Sequence, residues 1–234
     1  IIILKTISKS RSDINYKYMK KVIIAGASGM IDSLILKHCL SSPDIGQVTC
    51  LTRKRTDKKH SKLKEILITN FADYSAQTDL FKNIDLTFFC IGVYTGQVPD
   101  DKFKEITVDY AVAFAKAIKI NCPSANLCFL SGAGADRTEK SNTSFARYKG
   151  MAENQISEMG LKFHAFRPGY IYPVTPRKEP NIMYRMMRLF YPLIRLSGSN
   201  SSIKSTELAT ALFNVGMNGA KKEVLENREI LEYV

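Results

Sequence analysis

At 234 residues, 45% of them hydrophobic and 24% charged, the chain has the size and composition of one good-sized globular domain with a substantial core. No apolar run approaches the roughly 20 residues of a membrane span, and its three histidines (His38, His60, His164) lie too far apart to suggest a histidine-rich metal centre. The net charge of +12 is concentrated in two stretches, residues 1–21 with six cations against Asp13 and residues 53–64 with seven against Asp57, which argues against a nucleic-acid-binding face spread over the fold.

The five cysteines (39, 50, 90, 122 and 128) are odd in number and lack Cys-x-x-Cys spacing. They lie mostly in apolar stretches and read as core thiols of a reducing compartment, so a cytoplasmic location is expected. Residues 1–18 fit the domain poorly and read as a flexible extension before a domain over 19–234, with Met19 as its natural start. The rival reading is a targeting segment, but Ile1–Leu4 precede the charges instead of following them.

Val22–Ala25 reads as a short apolar strand, and Gly26-Ala-Ser-Gly29 turns it into a helix running through Leu34, Ile35 and Leu40. Such a turn aims helix-terminal N–H groups at a diphosphate, and its glycines let the backbone approach closely. The spacing is G-x-x-G, because Asp32 stands where a third glycine is expected. Taken alone, the turn favours a cofactor only slightly over an ordinary strand-to-helix connection.

Its context decides. Gln47–Leu51 reads as a second strand, Leu67–Thr69 as part of a third, and Leu80–Phe81 as part of a brief helix. Asp85–Ile91 is a fourth strand ended by Gly92. Val108–Ile120 is a helix, with Val108, Ala111, Ala115 and Ile118 on one face, and Asn126–Leu130 is a fifth strand. Apolar strands alternating with helices predict an α/β, Rossmann-like, doubly wound parallel sheet. Its ligand belongs beyond the strands' C-terminal ends, where Arg53, Asn70, Gly92 and Ser131 fall.

Arg53 opens the stretch Arg53-Lys54-Arg55 after the second strand, where a site for the unphosphorylated cofactor places an acid. Cations there suit a 2′-phosphate, so NADP(H) is preferred and NAD(H) is the alternative. Asn70 suits an adenine edge and equally a turn. Tyr94, in the glycine-bearing loop 92–96, points either to substrate or to solvent. Ser131 puts a hydroxyl at the sheet edge. In the following helix Lys149 shares a face with Phe145 and Glu153, while Tyr148 turns about 100° away.

His164–Phe166 leads as a strand into Arg167-Pro168-Gly169. Residues 173–204 form a lid or substrate-side segment, in which apolar residues alternate with Arg185, Arg188 and Arg195. Such a stripe lines a pocket, packs a dimer or touches a membrane surface, and a lid over the cleft is the default. Ser205–Met217 reads as an amphipathic helix capped by Thr206, and residues 223–233 as a closing strand.

Together these pieces resemble the short-chain dehydrogenase/reductase superfamily, specifically its atypical NAD(P)-binding branch, with the HTATIP2/TIP30-like oxidoreductases and their bacterial relatives as the nearest likeness. The matching pieces are Gly26-Ala-Ser-Gly29, Leu51-Thr-Arg53, Cys90-Ile-Gly92, Val108-Asp-Tyr110, Leu130 to Asp136, Lys149-Gly-Met-Ala-Glu153 and Phe166-Arg-Pro-Gly169, in order over 20–234. The resemblance implies that Gly26, Ser28, Gly29 and Met30 surround the pyrophosphate and that Arg53 meets the adenosine phosphate. Gly92 and Pro168 then lie near the cofactor, Ser131 polarises a substrate carbonyl, and Lys149 binds the nicotinamide ribose.

Two residues depart from the pattern. The superfamily's catalytic tyrosine stands four residues before the lysine, and here that residue is Phe145, which has no proton to give. Tyr148, Tyr94 or Tyr172 would have to supply a hydroxyl from elsewhere. Asp32 implies a displaced helix or an exposed carboxylate. The expected function is an NADPH-dependent oxidoreductase acting on a small unidentified substrate, as monomer or homodimer, without nucleic-acid or integral-membrane partners. The alternative is a non-catalytic dinucleotide-binding regulatory or scaffold protein.

Overall fold

The computed structural model describes residues 19–56, 58–175, 182–196 and 198–234. The extension over 1–18 and part of the expected lid, 176–181, lie outside these residues. Seven parallel strands form one sheet in the order β3-β2-β1-β4-β5-β6-β9: β1 Lys20–Ala25, β2 Ile45–Thr52, β3 Leu63–Leu67, β4 Leu86–Phe89, β5 Asn126–Leu130, β6 Lys162–Arg167 and β9 Val224–Glu226. The order reverses direction between β1 and β4, which opens a crevice at the C-terminal ends of those two strands.

The helices cover both faces. Along β1 the side chains alternate, with Val22 and Ile24 entering one layer and Ile23 and Ala25 the other. The first layer is closed by α1 (Met30–Ser41) and α7 (Ser205–Asn218) through Ile35, Leu36, Leu208 and Leu212. The second is closed by α3 (Tyr110–Asn121) and α4 (Ser144–Ser157). Phe81, Phe89, Phe114 and Tyr74 pack there with ring centroids 5.4–5.8 Å apart.

Several boundaries differ from expectation. The third strand lies earlier than Leu67–Thr69, because β2 pairs with it from Val48↔Leu63 to Thr52↔Leu67. As the edge strand it needs little apolar burial, and Leu67 itself is 49% exposed. The helix expected from Val108 starts at α2 (Asp100–Lys104) and passes through a π turn, Glu105–Asp109, into α3. The residue capping α7 is Lys204 rather than Thr206, and the Glu207 carboxylate accepts the Lys204 N–H. Of the expected closing strand only β9 forms. Asn227–Ile230 becomes α8, held by the Glu229 carboxylate on the Glu226 N–H. A small second sheet pairs β7 (Tyr170–Tyr172) with β8 (Ser202–Lys204), and α5 (Ile182–Leu189) and α6 (Tyr191–Leu196) lie between them in sequence.

His164 ties β6 to the loop before β9. Its Nδ1 faces the Lys222 carbonyl at 2.9 Å and its Nε2 faces the Ala220 N–H at 3.3 Å. Nε2 must therefore be the acceptor and Nδ1 the donor, so the ring is neutral. Burial, the largest influence, lowers its pKa below the ordinary 6.5. The unfolded chain then takes the proton first, and the stability contributed by the neutral ring is lost as pH falls from about 6.5 through the lowered value. His38 is lowered in the same direction. The His164→Gln variant should therefore flatten the fall in melting temperature between pH 7 and 5 without abolishing it, as calorimetry would show; an unchanged slope rules His164 out as its source.

Candidate active site

The strand-to-helix turn is built as the glycines require. Gly26 takes φ +103°, a conformation that L side chains rarely adopt. The Gly29 N–H closes the turn on the Gly26 carbonyl at 2.9 Å, and Gly29 becomes the N-cap of α1. The first-turn N–H groups of this 12-residue helix have no intrahelical acceptor and carry the positive end of its dipole. A side chain on Gly26 would put its Cβ 2.9 Å from Ile91 Cγ1, so the close approach of loop and β4 end excludes one. These features fit a diphosphate.

The turn opens on a cleft of about 740 Å³. Gly29, Met30, Gly92, Tyr94, Ser131, Lys149 and Pro168 all line it, so seven residues scattered over 140 positions meet at the sheet's C-terminal edge. Ser28, Arg53 and Asn70 stand exposed outside it. Arg53 directly follows β2, beside exposed Lys54 and Arg55. The Asn70 Oδ1 accepts the Ala72 N–H at 2.9 Å, which makes it a turn former. Thr107 of the π turn, Phe103, Tyr170 and Ile171 also line the cleft, as do Met187 of α5 and Ile194 of α6. The side chains of Arg185 and Arg195 lie outside the described residues.

Inside the cleft Lys149 is buried. Its ammonium donates to the Leu130 carbonyl at 2.8 Å and lies 4.8 Å from the centre of the Phe129 ring. Burial lowers its pKa to about 8 against the opposing pull of Glu153 and Cys90, so it is cationic at neutral pH and loses that charge within the next unit or so. The Ser131 hydroxyl donates to Glu153 Oε1 at 2.5 Å, so its proton is engaged there.

Glu153 is the residue that sequence reasoning undervalued. Its fully buried carboxylate accepts from Ser131, from Arg137 Nε at 2.8 Å and from Arg167 Nη2 at 2.6 Å. Its sequence signals were its helical pairing with Lys149 and its place at the end of the matching piece Lys149-Gly-Met-Ala-Glu153.

Phe145, at the position where the resemblance expects a tyrosine, lines the cleft. The tip of its ring approaches Gly132, where a Cβ would come within 2.5 Å of the Phe145 para carbon. Tyr148 does not substitute for it. The Tyr148 hydroxyl donates to Asp100 Oδ2 at 2.5 Å, on the side of α2, and the residue is absent from the cleft lining among the described residues. Asp32, expected as an exposed carboxylate or a sign of a displaced helix, is 2% exposed. It is tucked beneath the glycine turn.

Strand order, turn and cleft define a Rossmann-type α/β protein. Among solved structures it is similar to WbmH of Bordetella bronchiseptica in complex with NAD+ (TM-score 0.68, 18% identity, 89% of this chain and 75% of that one). It is similar also to a glucuronic acid dehydrogenase of Chromohalobacter salexigens (TM-score 0.64, 14%, 88% and 76%). A third likeness is a Rossmann-fold NAD(P)-binding family protein of Shigella flexneri (TM-score 0.58, 17%, 87% and 89%). At such identities the likeness is one of fold. No family model matches the chain.

In sequence it is 30% identical over 165 residues to the mitochondrial protein FMP52 of Candida albicans, covering 67% of this chain and 68% of that protein. The mitochondrial fmp52 of Aspergillus niger is 24% identical over 220 residues, 88% of this chain and 91% of that protein. The chain belongs to the FMP52 family. Both relatives are mitochondrial, which overturns the cytoplasmic location expected from the cysteines. Unpaired core thiols report that disulfides are absent, and that property does not distinguish one reducing compartment from another.

Proposed function

We propose that this chain is a dinucleotide-binding oxidoreductase of the atypical short-chain dehydrogenase/reductase type, mitochondrial like its relatives, which takes NADPH in preference to NADH. The observation that carries the reading is the opening of the Gly26–Gly29 turn and the α1 N-terminus onto the same cleft as Lys149 and Pro168. The bound nicotinamide would supply a hydride. Around it, the α1 N–H groups hold the diphosphate, Arg53 meets the 2′-phosphate, and Lys149 is within the cleft to bind the ribose hydroxyls. Ile91, Val93 and Phe145 leave an apolar space that suits a small apolar carbonyl compound.

A second reading, a dinucleotide binder without efficient turnover, is favoured by one observation. The groups expected to handle the substrate proton are engaged elsewhere or replaced: Ser131 by Glu153, Tyr148 by Asp100, and the tyrosine by Phe145. Monomeric or homodimeric assembly without nucleic acid completes the proposal. Among the described residues no helix is long and apolar enough to cross a membrane, and no cluster of His, Cys, Asp or Glu would hold a metal ion.

Calorimetric titration with NADPH and NADH tests the cofactor assignment. NADPH should bind more tightly, and Arg53→Ala should reduce that advantage by about tenfold, the lower end of a charge-assisted contact's worth at an exposed site. Equal affinities of the native chain for the two cofactors would sink the role given to Arg53.

A further inference from the structure

The buried Asp32 carboxyl is unexplained by the fold. It stands in the first turn of α1, beneath the loop that would hold the diphosphate, and lines the cleft. A Cβ on Gly29 would lie 2.5 Å from Asp32 Oδ2, and one on Gly26 would lie 3.2 Å from the same atom, so the carboxyl fills the space that a third glycine leaves empty. Its Oδ1 is buried with no hydrogen-bond partner. A buried oxygen left in that state is costly unless something satisfies it. A second anion placed beside an ionised carboxylate would be repelled at short range.

We propose that Asp32 is part of the diphosphate site and meets the dinucleotide as a neutral acid, donating its proton to a phosphate oxygen, so that binding carries a proton with it. The proposal rests on the dinucleotide reading above. Where Asp32 is ionised in the free protein, one proton is taken from solvent for each dinucleotide bound. Where it is already neutral, the proton is in place and none is taken up.

The surroundings agree. Burial, the largest influence, raises the Asp32 pKa well above the ordinary carboxylate value, against hydrogen bonds from the Cys90 thiol and from its own backbone. Of the ionisable groups around it, Cys90 comes from the end of β4 and Cys50 from β2, both with thiols pushed up by burial. Lys149 from α4 and Cys128 from β5 act on Cys90. The 26–29 loop and Ile91 bring no ionisable group. The carboxyl thus has a thiol for a neighbour and a cation only beyond it, and the α1 N-terminus alone does not keep it charged.

The test is titration of the full chain with NADPH from pH 6.5 to 9.5, in pairs of buffers that differ in ionisation enthalpy. Asp32→Asn, which keeps a donor but cannot ionise, and Asp32→Gly, which removes both, are run alongside. Native affinity should fall with rising pH by up to about tenfold per unit, the limit for one linked proton, with uptake approaching one proton per dinucleotide. Lys149 loses its charge in the same range, so the decisive quantity is the difference between chains. Asp32→Asn should show a shallower fall and lose the uptake, and Asp32→Gly should bind several-fold more weakly than the native chain at pH 6.5. Identical pH profiles for native and Asn chains overturn the proposal, as does tighter binding by the Gly chain at pH 6.5. If native and variant chains, shown folded by circular dichroism, bind neither NADPH nor NADH at any pH, the dinucleotide reading falls and the proposal with it.

Discussion

Replacing Glu153 with glutamine should cost the protein about 3–5 kcal/mol, the usual penalty for removing one partner of a buried ion pair. At roughly 2–4 °C per kcal/mol for a chain of this size, the melting temperature should drop by about 6–20 °C. The carboxylate is fully buried and shared between Arg137 and Arg167, while Arg167 also holds Glu226 at 3.0 Å. Glutamine keeps the volume and accepts at one oxygen, but it leaves the Arg167 guanidinium, 14% exposed, without its buried counter-charge.

The same network makes the protein sensitive to acid. Burial pushes the Glu153 pKa upward, but hydrogen bonds from Arg167, Ser131 and Arg137 outweigh it and hold the group below its ordinary value. A depressed carboxylate stabilises the fold above the unfolded pKa, and that stability is lost as pH falls through the folded value. Glu153→Gln should therefore melt lower at pH 7 and lose less on further acidification. An unchanged melting temperature at pH 7 would show that the carboxylate does not hold β6 to α4.

Restoring a phenol at position 145 should raise reductase activity on small apolar aldehydes and ketones by about 10²–10⁴-fold, the usual worth of a positioned general acid. Phe145 and Lys149 share a face of α4 one turn apart, and the Lys149 ammonium would hold down the pKa of a phenol beside it. The para carbon is the ring atom nearest the face of Gly132, and Gly132, Phe145 and Lys149 all line the cleft. NADPH oxidation followed by absorbance is the measurement, with dinucleotide affinity measured in parallel. A large gain at unchanged affinity favours the reading of the native chain as a binder. Native activity that Phe145→Tyr leaves unmoved would mean that the proton comes from another group, and the second reading would then fail.

How much of this was legible in the sequence depends on the range of each interaction. The glycine turn, Asn126–Leu130 and the alternation of strands with helices were readable because turn chemistry and periodicity are local properties. The edge strand β3 was misplaced because its pairing with β2 lets polar residues serve. The carboxyl-terminal residues were misread because Glu226 and Glu229 form a capping box that starts a helix there. The phenylalanine at position 145 was legible, since the residue type at a fixed spacing from Lys149 needs no coordinates to read. Tyr148 was legible only as an angle on a helix, and its partner Asp100 lies 48 residues away.

By itself, the sequence determined the doubly wound class, the position of the glycine turn at the first strand's end, the basic stretch after the second and the absence of a tyrosine before Lys149. Each of these follows from residue type at a fixed short spacing. Only the tertiary structure decided that Asp32 is buried under the turn, that Ser131 is held by Glu153, and that Glu153 anchors two arginines. Those outcomes depend on which groups burial deprives of water and on which distant partner then satisfies them. No local pattern encodes that pairing.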